Sequence, residues 1–347
     1  MKATFKKYLL NFKNPSGTSR GILRTKETWF LFLEEKGKWG VGECGLFRGL
    51  SFDDVPNYEE KCNWVVKNRS LGETKLLKQL QNFPSIQFGI EQALISLRSK
   101  NPFHLFDSDF LNNQQPITIN GLVWMGDKEF MHQQIEDKLQ HGFSCIKMKI
   151  GAIDFDTELA LLKSIRERYS KEDIELRVDA NGAFSPQEAL YKLDILSKFD
   201  LHSIEQPIKQ GQWKEMQKLC ANTPLPIALD EELIGVVNVT NKEDLIQTIQ
   251  PQYIILKPSL VGGFAGSNEW IEIAKKNNIG WWITSALESN IGLNAIAQWT
   301  ATLNNKMPQG LGTGSMFTNN IDSPLEVTNG GLFYNKSKIW NTNLIEM

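Results

Sequence analysis

The residues best suited to chemistry are charges placed at the ends of short apolar runs. Lys147-Met148-Lys149 closes one run and Arg177-Val178-Asp179 the next; Glu205 stands in a third, Asp230 follows a fourth and Lys257 a fifth. From Asp179 the steps to Glu205, Asp230 and Lys257 are 26, 25 and 27 residues. Each step is about one strand plus one helix, so a repeating βα unit would set these charges at one height around a ring. Each residue alone has a plainer reading. Asp179 suits a turn, Glu205 a loop, Asp230 a helix cap and Lys257 an exposed position. The joint pattern is harder to explain that way, because a charge in an apolar strand is costly unless paired or bound to metal.

Three converging carboxylates repel one another, by about 4 kcal/mol per pair at 4 Å with an effective dielectric of 20. A hard divalent cation resolves this. An all-oxygen set suits Mg²⁺, with Mn²⁺ also compatible, and the lack of His or Cys in the set argues against zinc. Strand alternation puts Lys147 with Lys149, and Arg177 with Asp179, on shared faces, while Glu231 starts out pointing away from Asp230. A lysine titrates near ~10.4, but a nearby cation and a second ammonium favour its neutral form. Lys149, beside Lys147, thereby becomes a candidate base, and Lys257 completes the ring.

The elements that must position these groups follow a βα rhythm from about residue 116. Eight strand-like runs are expected at 117–123, 145–150, 174–178, 203–206, 227–229, 253–256, 281–284 and 309–311, with helix-length amphipathic stretches such as 156–169 and 186–199 between them. Eight such units predict an α/β fold, a (β/α) barrel of the TIM-barrel type; an open doubly wound sheet would more usually stop earlier. Before it, a hairpin around Lys36-Gly37-Lys38 and helical stretches at 53–69 and 72–100, interrupted near Pro84, predict an α+β cap. The expected division is a cap over 1–105, the barrel over 106–320 and a C-terminal segment, 321–347, returning to the cap.

Together the motifs Lys147-Met-Lys149, Val178-Asp-Ala-Asn-Gly182, Ile204-Glu-Gln-Pro207, Leu229-Asp-Glu231 and Leu256-Lys-Pro-Ser-Leu-Val-Gly-Gly263 resemble the enolase superfamily, in its muconate-lactonising subgroup. The resemblance implies that Asp179, Glu205 and Asp230 hold Mg²⁺ and that Lys149 and Lys257 form the acid/base pair. Thr284-Ser-Ala-Leu-Glu-Ser-Asn-Ile-Gly292, Gly310-Leu-Gly-Thr-Gly314 and Gly45-Leu-Phe-Arg-Gly-Leu50 resemble the subgroup's dehydratases of menaquinone biosynthesis. The Asp-x-Asp pair with which the related dipeptide epimerases hold an amino group is absent near strands seven and eight. The substrate implied is a small dicarboxylate. Its second carboxylate would be received by Ser285, Ser289, Gly262 and Gly263, with Lys147, Arg177, Phe47, Arg48 and Leu50 as further contacts. A racemase, epimerase or cycloisomerase on the same scaffold is the alternative within enzymes, and a catalytically dead binding protein the alternative outside them. All five ring residues are present, which argues against the latter.

The bulk properties agree with a metabolic enzyme. The 347 residues carry a net charge of −2, giving no signal for nucleic acid or an anionic membrane, and no run reaches the ~20 apolar residues of a membrane span. Four dispersed cysteines and no signal-like start read as reduced thiols in a cytoplasmic protein; nothing in the sequence sets the oligomeric state. The loop Gly45–Ser51 is expected either to close over the ring as a lid carrying Phe47 and Leu50, or to pack them into the cap.

Overall fold

A computed structural model describes residues 1–18, 21–112 and 114–343. Three antiparallel strands open the chain: β1 (Lys2–Thr18), β2 (Gly21–Glu35) and β3 (Lys38–Cys44), in that order. The β2–β3 turn falls where expected, with Lys36 and Gly37 both at positive φ. The long strand β1 has no counterpart in the sequence reading. The helices Tyr58–Asn68, Glu73–Lys78 and Pro84–Arg98 cover one face of this sheet, burying Trp29, Leu31, Leu33, Tyr58, Leu80 and Ile90 between them. Pro84 starts the third helix rather than interrupting one, since its missing N–H is not needed in a first turn.

The second part is a parallel sheet. Between β4 (Ile117–Thr118) and β12 (Leu325–Thr328) run β5 (Gly121–Val123), β6 (Cys145–Lys149), β7 (Glu175–Asp179), β8 (Ser203–Glu205), β9 (Ile227–Leu229), β10 (Tyr253–Leu256) and β11 (Gly280–Ile283). These seven pair in sequence order, with helices on the connections, and their outer faces share one large apolar core with those helices. The expected first run, 117–123, is split. Its first part, β4, pairs with β13 (Gly331–Tyr334), which pairs in turn with β12. The expected eighth run is reduced to bridges: Gln309 pairs in parallel with Ile119, and Gly310 with Thr284. The C-terminal strands therefore pair with β4, at the start of the second part, rather than with the first sheet. The same segment also touches the N-terminal part of the chain, where Trp340 stacks on Phe103 at 4.2 Å and Ile321 packs with Phe30, Phe32 and Val41. Among the described residues no helix is long and apolar enough to cross a membrane. All four cysteines are buried and free.

Candidate active site

The strand register assembles the ring. On β6, β7 and β8, Lys149 pairs with Asp179, and Asp179 with Glu205, so these three side chains stand at one level on neighbouring strands. Glu205 pairs next with Ala228, which leaves Asp230 two residues further along, just past β9. Lys257 follows β10. The strands bearing the three carboxylates thus lie between the strand of Lys149 and that of Lys257.

Ion pairs close the arrangement. Lys149 Nζ lies 3.0 Å from Asp179 Oδ2 and 2.7 Å from Asn181 Oδ1. Lys147 Nζ lies 3.1 Å from the same Asp179 oxygen and also donates to Glu205. Lys257 donates to Asp230. Asn181, held at φ 44° in the Asp179-Ala-Asn-Gly turn, donates to Glu231 at 3.0 Å. Gln206 braces the next turn: its Oε1 accepts the N–H groups of Asp230 and Glu232, each at 3.2 Å, and its Nε2 donates to Glu232.

The electrostatics follow from burial and these pairs. Burial and the charge of Asp179 push the Glu205 carboxyl up to about 8. Burial opposes the charge on Asp179 too, but Lys147, Lys149 and Lys257 outweigh it and hold its carboxyl below the usual range. Burial likewise opposes the ammonium groups of Lys147 and Lys257, and the facing carboxylates outweigh it, raising both. Among the described residues no three acidic, His or Cys groups are drawn into a common metal cage; each ring carboxylate faces a lysine instead. The donor set still fits a hard cation. Every candidate ligand atom is a carboxylate oxygen, and Glu205 Oε1 is buried with no hydrogen-bond partner.

A cavity of about 690 Å³ opens above the ring, lined there by Lys147, Lys149, Asp179, Asn181, Glu231 and Lys257. Phe47, Leu50, Trp124 and Leu287 give it apolar walls, and Thr284, Ser285 and Thr313 a hydroxyl-bearing one. Phe47 is 7% exposed and belongs to the main core while also facing the cavity. Its loop is braced: Ser51 Oγ accepts the Phe47 N–H at 2.8 Å, and Asp54 accepts the Gly49 N–H at 2.7 Å. A side chain on Gly45 would meet Glu288 and Ser259 at 3.1 Å, so Gly45 marks a close approach of two segments rather than a free hinge.

Five expected substrate contacts, Arg48, Arg177, Gly262, Gly263 and Ser289, do not line this cavity. Arg48 is on the surface, with its two arms on Asp54 at 2.6 Å and Glu27 at 2.7 Å. Arg177 does share a face with Asp179, but one layer deeper. There it lies over the Trp282 ring at 4.2 Å, donates to Pro308 O at 3.0 Å and pairs with Glu175 at 2.6 Å, forming the floor below the cavity. Ser289 is buried, and its hydroxyl donates to Glu43 at 2.5 Å. Gly262 and Gly263 pack against Gln87 and Glu91 of the cap. Ser285, by contrast, does line the cavity, hydrogen-bonded to Thr313 Oγ1 at 2.6 Å. Asn181, Trp124 and Thr313 were not singled out from the sequence. Asn181 and Thr313 both lie inside motifs quoted above, and the positive φ of Asn181 needs the turn geometry to be seen.

The comparisons with known proteins bear on this geometry. The family model described as Enolase C-terminal domain-like matches residues 131–335. The chain is 47% identical to an o-succinylbenzoate synthase of Desulfotalea psychrophila, over 95% of this chain and 98% of that one. The crystal structure of MenC from the same organism superposes with a TM-score of 0.85 at 44% identity, covering 96% of this chain and 99% of that one. An L-Ala-D/L-Glu epimerase of Bacillus subtilis is more distant, at 24% identity over 88% of this chain and 84% of that one. With its ring of carboxylates and lysines at the strand ends, and with likeness of this extent, the chain belongs to the enolase superfamily, in its o-succinylbenzoate synthase family of hydro-lyases.

Proposed function

We propose that the ring carries out the syn dehydration of 2-succinyl-6-hydroxy-2,4-cyclohexadiene-1-carboxylate to 2-succinylbenzoate, a step of menaquinone biosynthesis. The observation that carries this reading is the placement of Asp179, Glu205 and Asp230 between Lys149 and Lys257 beneath one cavity. Asp179, Glu205 and Asp230 would hold Mg²⁺, as members of this superfamily do, with Mn²⁺ compatible. When bound, the cation supplies Lewis acidity toward the carboxylate next to the reacting carbon. Bound there, it would also offset the carboxylate charge that Lys147, Lys149 and Lys257 neutralise in this structure.

Lys149 then removes the proton alpha to the ring carboxylate, and the ammonium of Lys257 offsets the charge that develops. The proton gained by Lys149 leaves with the departing hydroxyl as water, and the ring becomes aromatic. Phe47, Leu50, Trp124 and Leu287 shield this centre from solvent, and Ser285 and Thr313 face the succinyl tail. We further read residues 309–310 as the short eighth strand of a closed barrel, since they bridge to both Ile119 and Thr284. In the same reading the cap spans 1–105, the barrel 106–320, and 321–347 returns toward the cap.

The wall made by 284–287 and 310–316 presents no carboxylate to the cavity, so it has nothing to pair with a dipeptide ammonium. That favours the dehydratase over an epimerase. The test is to supply the cyclohexadiene precursor with Mg²⁺, follow its loss by absorbance, and assay L-Ala-L-Glu epimerisation in parallel. Dehydration should dominate; epimerisation without dehydration would reverse the reading.

A further inference from the structure

Two carboxylates of the chain itself are seated beside the groups expected to receive a substrate carboxylate: Ser289 donates to Glu43, and Glu91 lies against Gly263. Glu91, on the cap helix Pro84–Arg98, accepts the backbone N–H groups of Phe264 at 2.5 Å and Ala265 at 3.2 Å, in the first turn of the helix Gly263–Lys276. Glu43, at the end of β3, accepts Ser289 N at 2.9 Å, Ser289 Oγ at 2.5 Å and Gly292 N at 2.8 Å, where the helix Asn290–Thr302 begins. A helix N-terminus favours a negative charge, and both seats are buried. The two helices follow β10 and β11, the strands that deliver Lys257 and the Ser285 wall. A third carboxylate, Glu288, ties the two turns together by accepting Ser259 Oγ and, at 2.7 Å, Ala286 N. Lys26, buried and with no hydrogen bond to its Nζ, faces the charges of both Glu43 and Glu288.

The path from Glu91 to Lys257 is short. The Lys257 carbonyl accepts Leu260 N at 2.7 Å and Val261 N at 3.2 Å, so the turn is wound directly onto Lys257. It ends at Gly262 and Gly263, at φ 95° and 75°, where it meets Glu91. A Cβ on Gly263 would lie 2.2 Å from Glu91 Oε2. The carboxylate therefore fits this turn only with glycine there, and only at its present reach.

We propose that Glu91 is a positioning residue for Lys257, a cap-borne carboxylate that fixes the turn carrying that ammonium, while Glu43 and Glu288 fix the facing wall. The proposal rests on Lys257 acting in the reaction. It requires reach rather than charge alone. Glu91→Asp keeps the charge and withdraws it by one methylene; Glu91→Gln keeps the length and an acceptor oxygen.

The experiment measures kcat and KM for the cyclohexadiene precursor with Mg²⁺, and Tm, in both variants and in Lys257→Ala, well below each Tm. Glu91→Asp should lose about tenfold or more in kcat with KM within about threefold, while Glu91→Gln stays within about threefold of the parent. Should Glu91→Asp fail to fold, Gly263→Ala pushes the carboxylate off its seat and is expected to show the same loss. A parental kcat in the reach-altering variant overturns the proposal, as do equal losses in the Asp and Gln variants. A parental kcat in Lys257→Ala identifies the failure instead as that of the role given to Lys257, and the proposal falls with it.

Discussion

Replacing Arg177 by Met separates a floor residue from a substrate contact. The guanidinium is 1% exposed and held from three sides: the Trp282 ring at 4.2 Å, Pro308 O at 3.0 Å and Glu175 at 2.6 Å. A desolvated cation–π contact is worth up to about 2 kcal/mol. A buried hydrogen bond from a charged group adds ~1.5–3 kcal/mol. The Glu175 pair adds little, because that carboxylate is partly exposed and finds water when its partner leaves. Methionine fills much of the volume but leaves Pro308 O without its donor. The expected loss is about 2–5 kcal/mol, read as a lower urea midpoint with an unchanged slope. In the enzyme that remains folded, KM should stay within about threefold of the parent, since nothing of Arg177 reaches the cavity. Parental stability with KM raised more than about tenfold would refute the floor assignment.

Phe47→Ala should act on both stability and turnover, because the ring is core on one side and cavity wall on the other; a loss of ~3–5 kcal/mol in urea titration is expected together with a raised KM. A kinetic change at parental stability would restore the free lid. Asp179→Asn should weaken Mg²⁺ binding in calorimetry and remove most activity, and an unchanged Mg²⁺ affinity counts against that ligand. The pH dependence of stability has a defined sign. Burial raises Asp53 from 3.8 to about 6, and Glu91 and Glu158 from 4.5 to about 7. Carboxyls raised on folding stabilise below their unfolded values and lose that contribution as pH rises through 6 to 7. For Asp53 alone this is on the order of 3 kcal/mol. Urea midpoints of chelator-treated protein should fall from pH 5 to pH 8, and less steeply in Asp53→Asn; an equal slope in that variant would remove Asp53 from the account.

The ring was legible because its signal is local and repeated. Charges at the ends of apolar runs, one βα unit apart, are costly without a shared purpose, and the register of β6, β7 and β8 puts Lys149, Asp179 and Glu205 side by side. The i, i+2 rule also placed Arg177 correctly on the face of Asp179. It carried no information about depth, and one layer down the same face is floor rather than site. The hydroxyls and glycines around 262 and 289 read, from the sequence, as fit to receive a substrate carboxylate. Ser289 binds Glu43, and the N–H groups of Phe264 and Ala265, just after Gly263, bind Glu91; these partners lie more than 170 residues away in the chain, and no local pattern in one sequence reports such a pair. The split of the run at 117–123 was hidden for a related reason. Ile117 and Thr118 have apolar and β-branched side chains that suit either sheet, and their partners, Leu332 and Gly331, come from the far end of the chain.

The central claim is that Lys149 abstracts the proton in a cation-dependent dehydration. The most direct test is the initial rate of precursor loss, followed by absorbance at saturating Mg²⁺, for Lys149→Ala beside the parent. Removing the base, which also returns the proton to the leaving hydroxyl, should cost at least ~10²–10⁴-fold while Mg²⁺ still binds. A Lys149→Ala rate within tenfold of the parent, with Lys257→Ala inactive, would contradict the account and exchange the two roles.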